Sequence, residues 1–280
     1  MATSPPRLSI VLLLLCTTIQ SWAEVTPAEQ RLSAELSAAI VEGNVVKLGD
    51  PKQPFLAIFT EAQAKKARGG IILLHDLNTH ADWQDVISPL RQSLPHYGWH
   101  TLSIQLPALP ENTQAITAAD QSALEQEINR RIQAAIEYCR NQRIFNIVLL
   151  GHQFGAVMAS RFAANPSNTP SINALVAINL YSPGTRAWIN TDAVRNIAVK
   201  VNTAFLDIVP DQSPEYVLEL ARNRKSAMTK LGHDKYKQIH IIGTDYTFRG
   251  AETTLVSRIQ GWLTKLAPSM EVQFVPEAAN

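Results

Sequence analysis

The feature that most limits what this 280-residue chain can fold into is an alternation of short apolar runs with amphipathic stretches. Residues 71–74 follow Gly69-Gly70 and are continuously apolar, as are most of residues 144–150 and 174–180. Such runs suit strands buried on both faces rather than one. Residues 99–106, 203–209 and 239–242 continue the series. Between them lie segments with helical spacing. Residues 82–94 put Trp83, Val86, Ile87, Leu90 and Leu94 on one face, with Asp82 as the expected cap. Residues 118–141 carry Leu124, Ile128, Ile132, Ile136 and Cys139 in one stripe. Asp120 and Glu125 near the start of that stripe, and Arg140 and Arg143 at its end, complement the helix dipole. Further helices are expected over 154–164, near 188–198, over 214–229 and over 252–266. A helix over 28–41 and a hairpin of residues 44–48 and 55–59, turned by Gly49-Asp50-Pro51, precede the series. Strands alternating with helices predict an α/β fold, a mostly parallel sheet with helices on both faces. The gaps are short, so residues 24–267 read as one domain and 268–280 as a peripheral tail.

Residues 1–23 stand apart. Arg7 precedes an apolar run over 8–15, and small residues stand at Ser21 and Ala23. This is the pattern of a secretory signal peptide. The run is short for a permanent membrane span, which leaves an uncleaved anchor as the alternative. Cys16 raises a lipoprotein option, but Leu15 stands where a small residue would be needed. The expected location is therefore periplasmic or secreted, with no stable membrane span after processing. Cleavage would remove Arg7 and Cys16, leaving equal numbers of acidic and basic residues and the single thiol Cys139. That thiol lies on an apolar stripe and reads as buried and inert. A net charge of +1 excludes a generic basic nucleic-acid binder.

The sharpest local motif is Gly151-His152-Gln153-Phe154-Gly155, between a buried strand and a helix. That is the context of the G-x-S-x-G nucleophile elbow. Glycines permit the strained turn, and the central residue stands at a helix N-terminus where backbone N–H groups meet a developing oxyanion. Here the central residue is Gln153. An amide cannot form the covalent intermediate that Ser, Cys or Asp can. On the motif alone, Gly151 and Gly155 equally suit ordinary packing glycines of a βα turn.

Three stretches together resemble the α/β-hydrolase superfamily over nearly all of the chain after residue 23. They are Gly70-Ile71-Ile72-Leu73-Leu74-His75-Asp76 with Trp83, the elbow at 151–155, and residues 236–250 followed by Arg258-Ile259-Gln260-Gly261-Trp262-Leu263. The chain is more closely similar to a family of bacterial α/β-hydrolase-like envelope proteins of unassigned function. The resemblance implies a lidless hydrolase frame, with little room between Pro183 and Thr203 for an inserted lid. It places the acid position at Asp211, with Asp207 as the alternative, and the His position at Tyr246. Asp211 is equally read as a turn residue after Pro210. Tyr is a poor general base at neutral pH. His75, Asp76, Leu77, His152 and Phe154 become the oxyanion or pocket candidates. Asp76 stands where Gly is usual, and a carboxylate there opposes an oxyanion.

His75, His80 and His152 raise a three-His metal site as an alternative, although a His beside the elbow is common in active hydrolases. His240 reads as a strand or core residue and His233 as a surface residue. No metal and no cofactor is implied. The expectation is an exported, non-catalytic protein that binds a small ligand or an envelope protein. The alternatives are a serine esterase with a displaced site, for which Ser182 is the candidate, and a purely structural envelope role.

Overall fold

The computed structural model describes residues 25–108, 117–168, 171–181 and 197–271. Helix α1 (Pro27–Ala39) leads into strands β1 (Asn44–Leu48), β2 (Phe55–Thr60) and β3 (Gly69–Leu74). Helix α2 (Ile87–Ser93) and a 3-10 turn (Leu94–Tyr97) precede β4 (Trp99–Ile104), and α3 (Ala118–Asn141) precedes β5 (Ile147–His152). Then come α4 (Phe154–Ala164), β6 (Ala174–Ile178), β7 (Ala204–Pro210), α5 (Glu215–Lys230), β8 (Tyr236–Ile241) and α6 (Glu252–Glu271).

The eight strands form one sheet in the order β1-β2-β4-β3-β5-β6-β7-β8. The β1–β2 and β2–β4 pairs are antiparallel, and all later neighbours are parallel. From β3 the chain moves to one side to form β4, then crosses back through α3 to β5 on the other side. Strand order therefore reverses between β3 and β5, and ligand crevices form at the carboxyl ends of such strands.

The continuous apolar runs are explained by burial on two faces. Ile72, Leu74, Leu149 and Leu175 pack with the stripe of α3 and with Phe162 of α4. Ile71, Leu73, Val148, Leu150 and Val176 point the other way, against Ile87 and Leu90 of α2 and Leu255, Ile259 and Leu263 of α6. Among the described residues no inserted lid interrupts this frame. Helix α1 is tied on by Arg131, whose buried guanidinium donates to Glu29 at 2.5 Å and to Glu127 at 2.7 Å.

Several boundaries differ from the sequence expectation. The helix expected over 82–94 begins only at Ile87, which places Pro89 in the first turn where its missing N–H costs nothing. Asp82 is not its cap; it pairs with the buried Arg91 at 2.8 Å. Strand β5 begins at Ile147 because Arg143 turns through the left-handed region and the Ile144 N–H still closes α3. Strand β6 stops at Ile178, where Asn179 also turns left-handed at φ 48°. Strand β8 starts at Tyr236, earlier than expected. It is an edge strand, so polar residues alternate into it. Helix α6 continues to Glu271, past the helix end expected at 266. The segment 1–23, most of the helix expected near 188–198, and residues 272–280 lie outside the described residues. Among those described, no helix is long and apolar enough to cross a membrane.

Candidate functional site

The site is built on the turn from β5 to α4. Gln153 has φ 48° and ψ −111°, a conformation that non-glycine residues adopt only under local constraint. Its N–H donates to the Ile178 carbonyl at 2.9 Å, and its own carbonyl accepts the first α4 bond, from Val157 at 3.0 Å. The neighbouring glycines are sterically required. A Cβ at Gly151 would lie 2.3 Å from the Gly155 backbone, and one at Gly155 would lie 2.2 Å from the Leu74 carbonyl oxygen. The turn is thus clamped between the ends of β3 and β6, and Gln153 is buried.

Asp76 comes from the loop after β3 and meets the elbow directly. Its Oδ1 accepts the backbone N–H of Phe154 at 3.0 Å. The Leu77 N–H also helps to hold its ionised form, but burial outweighs both bonds and pushes the carboxyl up to about 6. The residue after the elbow and the loop after β3 are the two sources of oxyanion-hole N–H groups on such a frame. In this chain a carboxylate of the protein already occupies them. The Phe154 ring itself is buried in the α3/α4 core, and Leu77 packs at the margin of that core.

Both ring nitrogens of His75 are engaged within the fold. Its Nε2 accepts the Leu106 N–H at 2.9 Å and its Nδ1 donates to the Asp76 carbonyl at 2.7 Å. Burial pushes the imidazole down to about 3, so it is neutral. His152 donates from Nε2 to the Tyr246 carbonyl at 2.8 Å, while its buried Nδ1 has no partner. Burial lowers it to about 4. His80 is half-buried, edge-on to Trp83, with Nδ1 accepting the Asp82 N–H at 3.2 Å. Both nitrogens of His75 are committed, and among the described residues no group of three or more His, Cys, Asp or Glu is placed to hold a metal.

The acid and His positions lie together in the chain's tertiary fold, but joined through backbone. Asp211 follows β7 and its Oδ1 accepts the N–H groups of Gly243 at 2.7 Å and Thr244 at 3.2 Å. It therefore shapes the loop that carries Tyr246, whose side chain is half-exposed. That loop is further anchored by the buried Phe248 and by Arg249, which donates to Asp85 at 2.7 Å. Asp207 sits inside β7 and is fully buried, accepting from Arg224, from the Tyr236 hydroxyl at 2.7 Å and from Gln238 at 2.8 Å. Its bonds are those of an internal ion pair.

His240 lies in strand β8, one of its two expected placements, and is exposed rather than in the core. For His233 the expectation is corrected. His233 is half-buried, with Nε2 donating to the Val201 carbonyl at 2.7 Å, rather than a surface residue. Cys139 is a buried free thiol, pushed up to about 12. Ser182 lies outside the described residues. Sequence reasoning missed Asn179, which stands beside Gln153, is buried, and leaves its Oδ1 without a partner. The available signal was an Asn ending an apolar strand, since Asn tolerates left-handed backbone better than other non-glycine residues.

Residues 17–124 and 110–265 match a family described as protein of unknown function (DUF3530). The chain belongs to this family. Among curated proteins nothing matches. The DUF3530 chain is similar in structure to a dienelactone hydrolase from Anabaena variabilis, with TM-score 0.61 and 16% identity over 80% of this chain and 97% of that one. It is similar to Est1E from Butyrivibrio proteoclasticus, with TM-score 0.59 and 13% identity over 80% and 98%. A lidless α/β serine hydrolase from Xanthomonas campestris gives TM-score 0.57 and 17% identity over 86% and 98%. The DUF3530 chain thus has the α/β-hydrolase frame.

Proposed function

We propose that this α/β-hydrolase-like protein does not carry out serine-hydrolase chemistry. After export directed by residues 1–23, it acts in the cell envelope by binding a small ligand or an envelope protein. The observation that carries the reading is the Asp76 carboxylate on the Phe154 N–H at 3.0 Å. A tetrahedral intermediate would need that N–H for its own oxyanion and would be repelled by the charge already there. Gln153 removes the nucleophile, and Tyr246 offers a backbone carbonyl to His152 in place of an imidazole base. Likeness of the frame to hydrolases does not carry chemistry across, because one fold hosts many functions.

The test is labelling of the full chain with a fluorophosphonate, together with a panel of short and long acyl esters. No covalent adduct and no turnover above the uncatalysed rate is the expected result. Labelling that disappears on mutation of one hydroxyl, Ser182 included, overturns the proposal.

A further inference from the structure

A second concave site lies away from the elbow. Strands β1 and β2 form one edge of the sheet, with β4 and β3 between them and β5. Between this hairpin and helix α1 is a cavity of about 750 Å³, a size that takes a small organic molecule. Its helical wall is Gln30, Ser33, Ala34 and Ser37, at the i, i+3, i+4 and i+7 positions of one α1 face. Ser33, Ala34 and Ser37 are short, which leaves room above the helix. The facing wall is Lys47 of β1 with Lys52 and Gln53 of the turn. Lys47 pairs with Leu56, and Leu56 packs with Leu36 of α1, so Lys47 stands on the α1 side of the sheet.

The charges on this cavity are unbalanced. None of the described residues that line it is acidic, and neither Lys47 nor Lys52 forms an ion pair among the described residues. The acids nearby are engaged elsewhere. Glu29 is paired with Arg131, while Asp50 accepts the backbone N–H of Lys52 at 2.8 Å and acts on Arg130. Ser33 is a second, independent signal. It is only 5% exposed, yet it lines the cavity. Ser37 donates to the Ser33 carbonyl at 2.6 Å, whereas no hydrogen bond holds the Ser33 hydroxyl among the described residues. A hydroxyl on so buried a residue ordinarily has a partner.

We infer that this cavity binds a small organic polyanion, with its negative charges on phosphate or carboxylate groups. Two ammonium groups without counter-ions match a ligand with two or more negative charges. The Ser33 hydroxyl and the Gln30 and Gln53 amides add directional donors for its oxygens. A cationic ligand would be repelled by both lysines, and a neutral sugar would leave both charges unmatched. The site is separate from the elbow, so it stands whether or not chemistry occurs there.

The test is a titration of the full chain at about 0.15 M salt, following the backbone amide signals of Ser33, Ala34 and Gln53 by NMR. The probes are glucose 6-phosphate, citrate and, as the neutral control, glucose. Sedimentation with cardiolipin vesicles, against phosphatidylcholine vesicles, covers a lipid headgroup as the source of the phosphates. Saturation by glucose 6-phosphate or citrate, and none by glucose, assigns a soluble anion. Binding confined to cardiolipin vesicles assigns the headgroup. Replacing both lysines, Lys47→Gln with Lys52→Gln, should weaken the anion by about tenfold or more. Ser33→Ala, which suits a helix, should weaken it by about two- to fivefold. Lys237→Gln, on exposed β8 at the other edge of the sheet, should change nothing and so controls for general charge attraction. Glucose binding as tightly as glucose 6-phosphate overturns the inference, as does the failure of both soluble anions and of cardiolipin. Anion binding that ignores the double lysine variant, or that Lys237→Gln weakens equally, overturns it too.

Discussion

Replacing Asp76 by Asn separates the charge at the elbow from its shape. Burial raises the carboxyl from its ordinary 3.8 to about 6. Roughly 2 pKa units at about 1.4 kcal/mol each make the ionised form cost the fold about 3 kcal/mol. The sign follows from linkage. Between pH 4 and pH 6, roughly, the folded protein holds a proton at Asp76 that the unfolded chain has lost. This group therefore stabilises the fold less as pH rises through that window, and the full penalty stands above about 6. Asn keeps an acceptor oxygen for these N–H groups, but a neutral amide accepts more weakly than a carboxylate, which returns about 1 kcal/mol of the gain. The expected result is a variant about 2 kcal/mol more stable than the parent near pH 7.5, or about 5 °C in Tm for a chain of this size. The gain should shrink to about half a kcal/mol or less near pH 5. Urea unfolding at the two pH values measures both numbers, and a 13C titration of the Asp76 carboxyl measures the cause. A variant less stable near pH 7.5, a gain equal at both pH values, or a carboxyl titrating near 4 refutes the reasoning.

The buried imidazoles should act in the opposite direction. His75 and His152 are lowered to about 3 and about 4, while the unfolded chain takes up protons at about 6.5. Stability is therefore lost as pH falls below about 6.5, by roughly 3 kcal/mol for each by pH 4, which outweighs the return from Asp76; a flat urea midpoint from pH 7 to 4.5 would contradict this. Arg224→Met strands the fully buried Asp207 carboxylate and should cost about 3–5 kcal/mol in urea unfolding, with a loss under about 1 kcal/mol showing the pair to be dispensable. Gly155→Ala forces a Cβ to within 2.2 Å of the Leu74 carbonyl oxygen and should cost about 3 kcal/mol or prevent folding. Gly261→Ala, in α6 with open space around it, should instead stabilise by about 0.5–1 kcal/mol. Gln153→Ser with Tyr246→His should remain inactive on acyl esters until Asp76→Gly is added, when freed N–H groups should raise turnover by about 100-fold. Activity of the double variant already at that level would show that Asp76 does not block the site.

Most of the frame was legible because the signals are local. The residues 71–74 and 144–150 carry no polar alternation, and only a strand covered on both faces uses such a run. Gly151 and Gly155 marked the tight turn, and the structure shows the backbone collisions that any side chain would cause there. Boundaries failed where a non-local partner decided them. Asp82 reads as a cap by sequence, but Arg91 captures it from within the core. His240 reads as a strand or core residue; it lies in strand β8, and whether it is covered there is decided by what packs over that strand. Nothing in the sequence of residues 236–241 says that β8 ends the sheet among the described residues.

What the sequence alone determined is the identity of the residue at the centre of the elbow. It is Gln153, and no folding can make an amide the nucleophile of a covalent intermediate. What only the tertiary structure decided is where Asp76 goes. Its carboxylate and the Phe154 N–H are 78 residues apart in the chain and 3.0 Å apart in space. They meet because β3 and β5 are parallel neighbours at the point where strand order reverses. Hydrogen-bond partners are set by neighbours in space, so the contact of Asp76 with the elbow exists only in the folded chain.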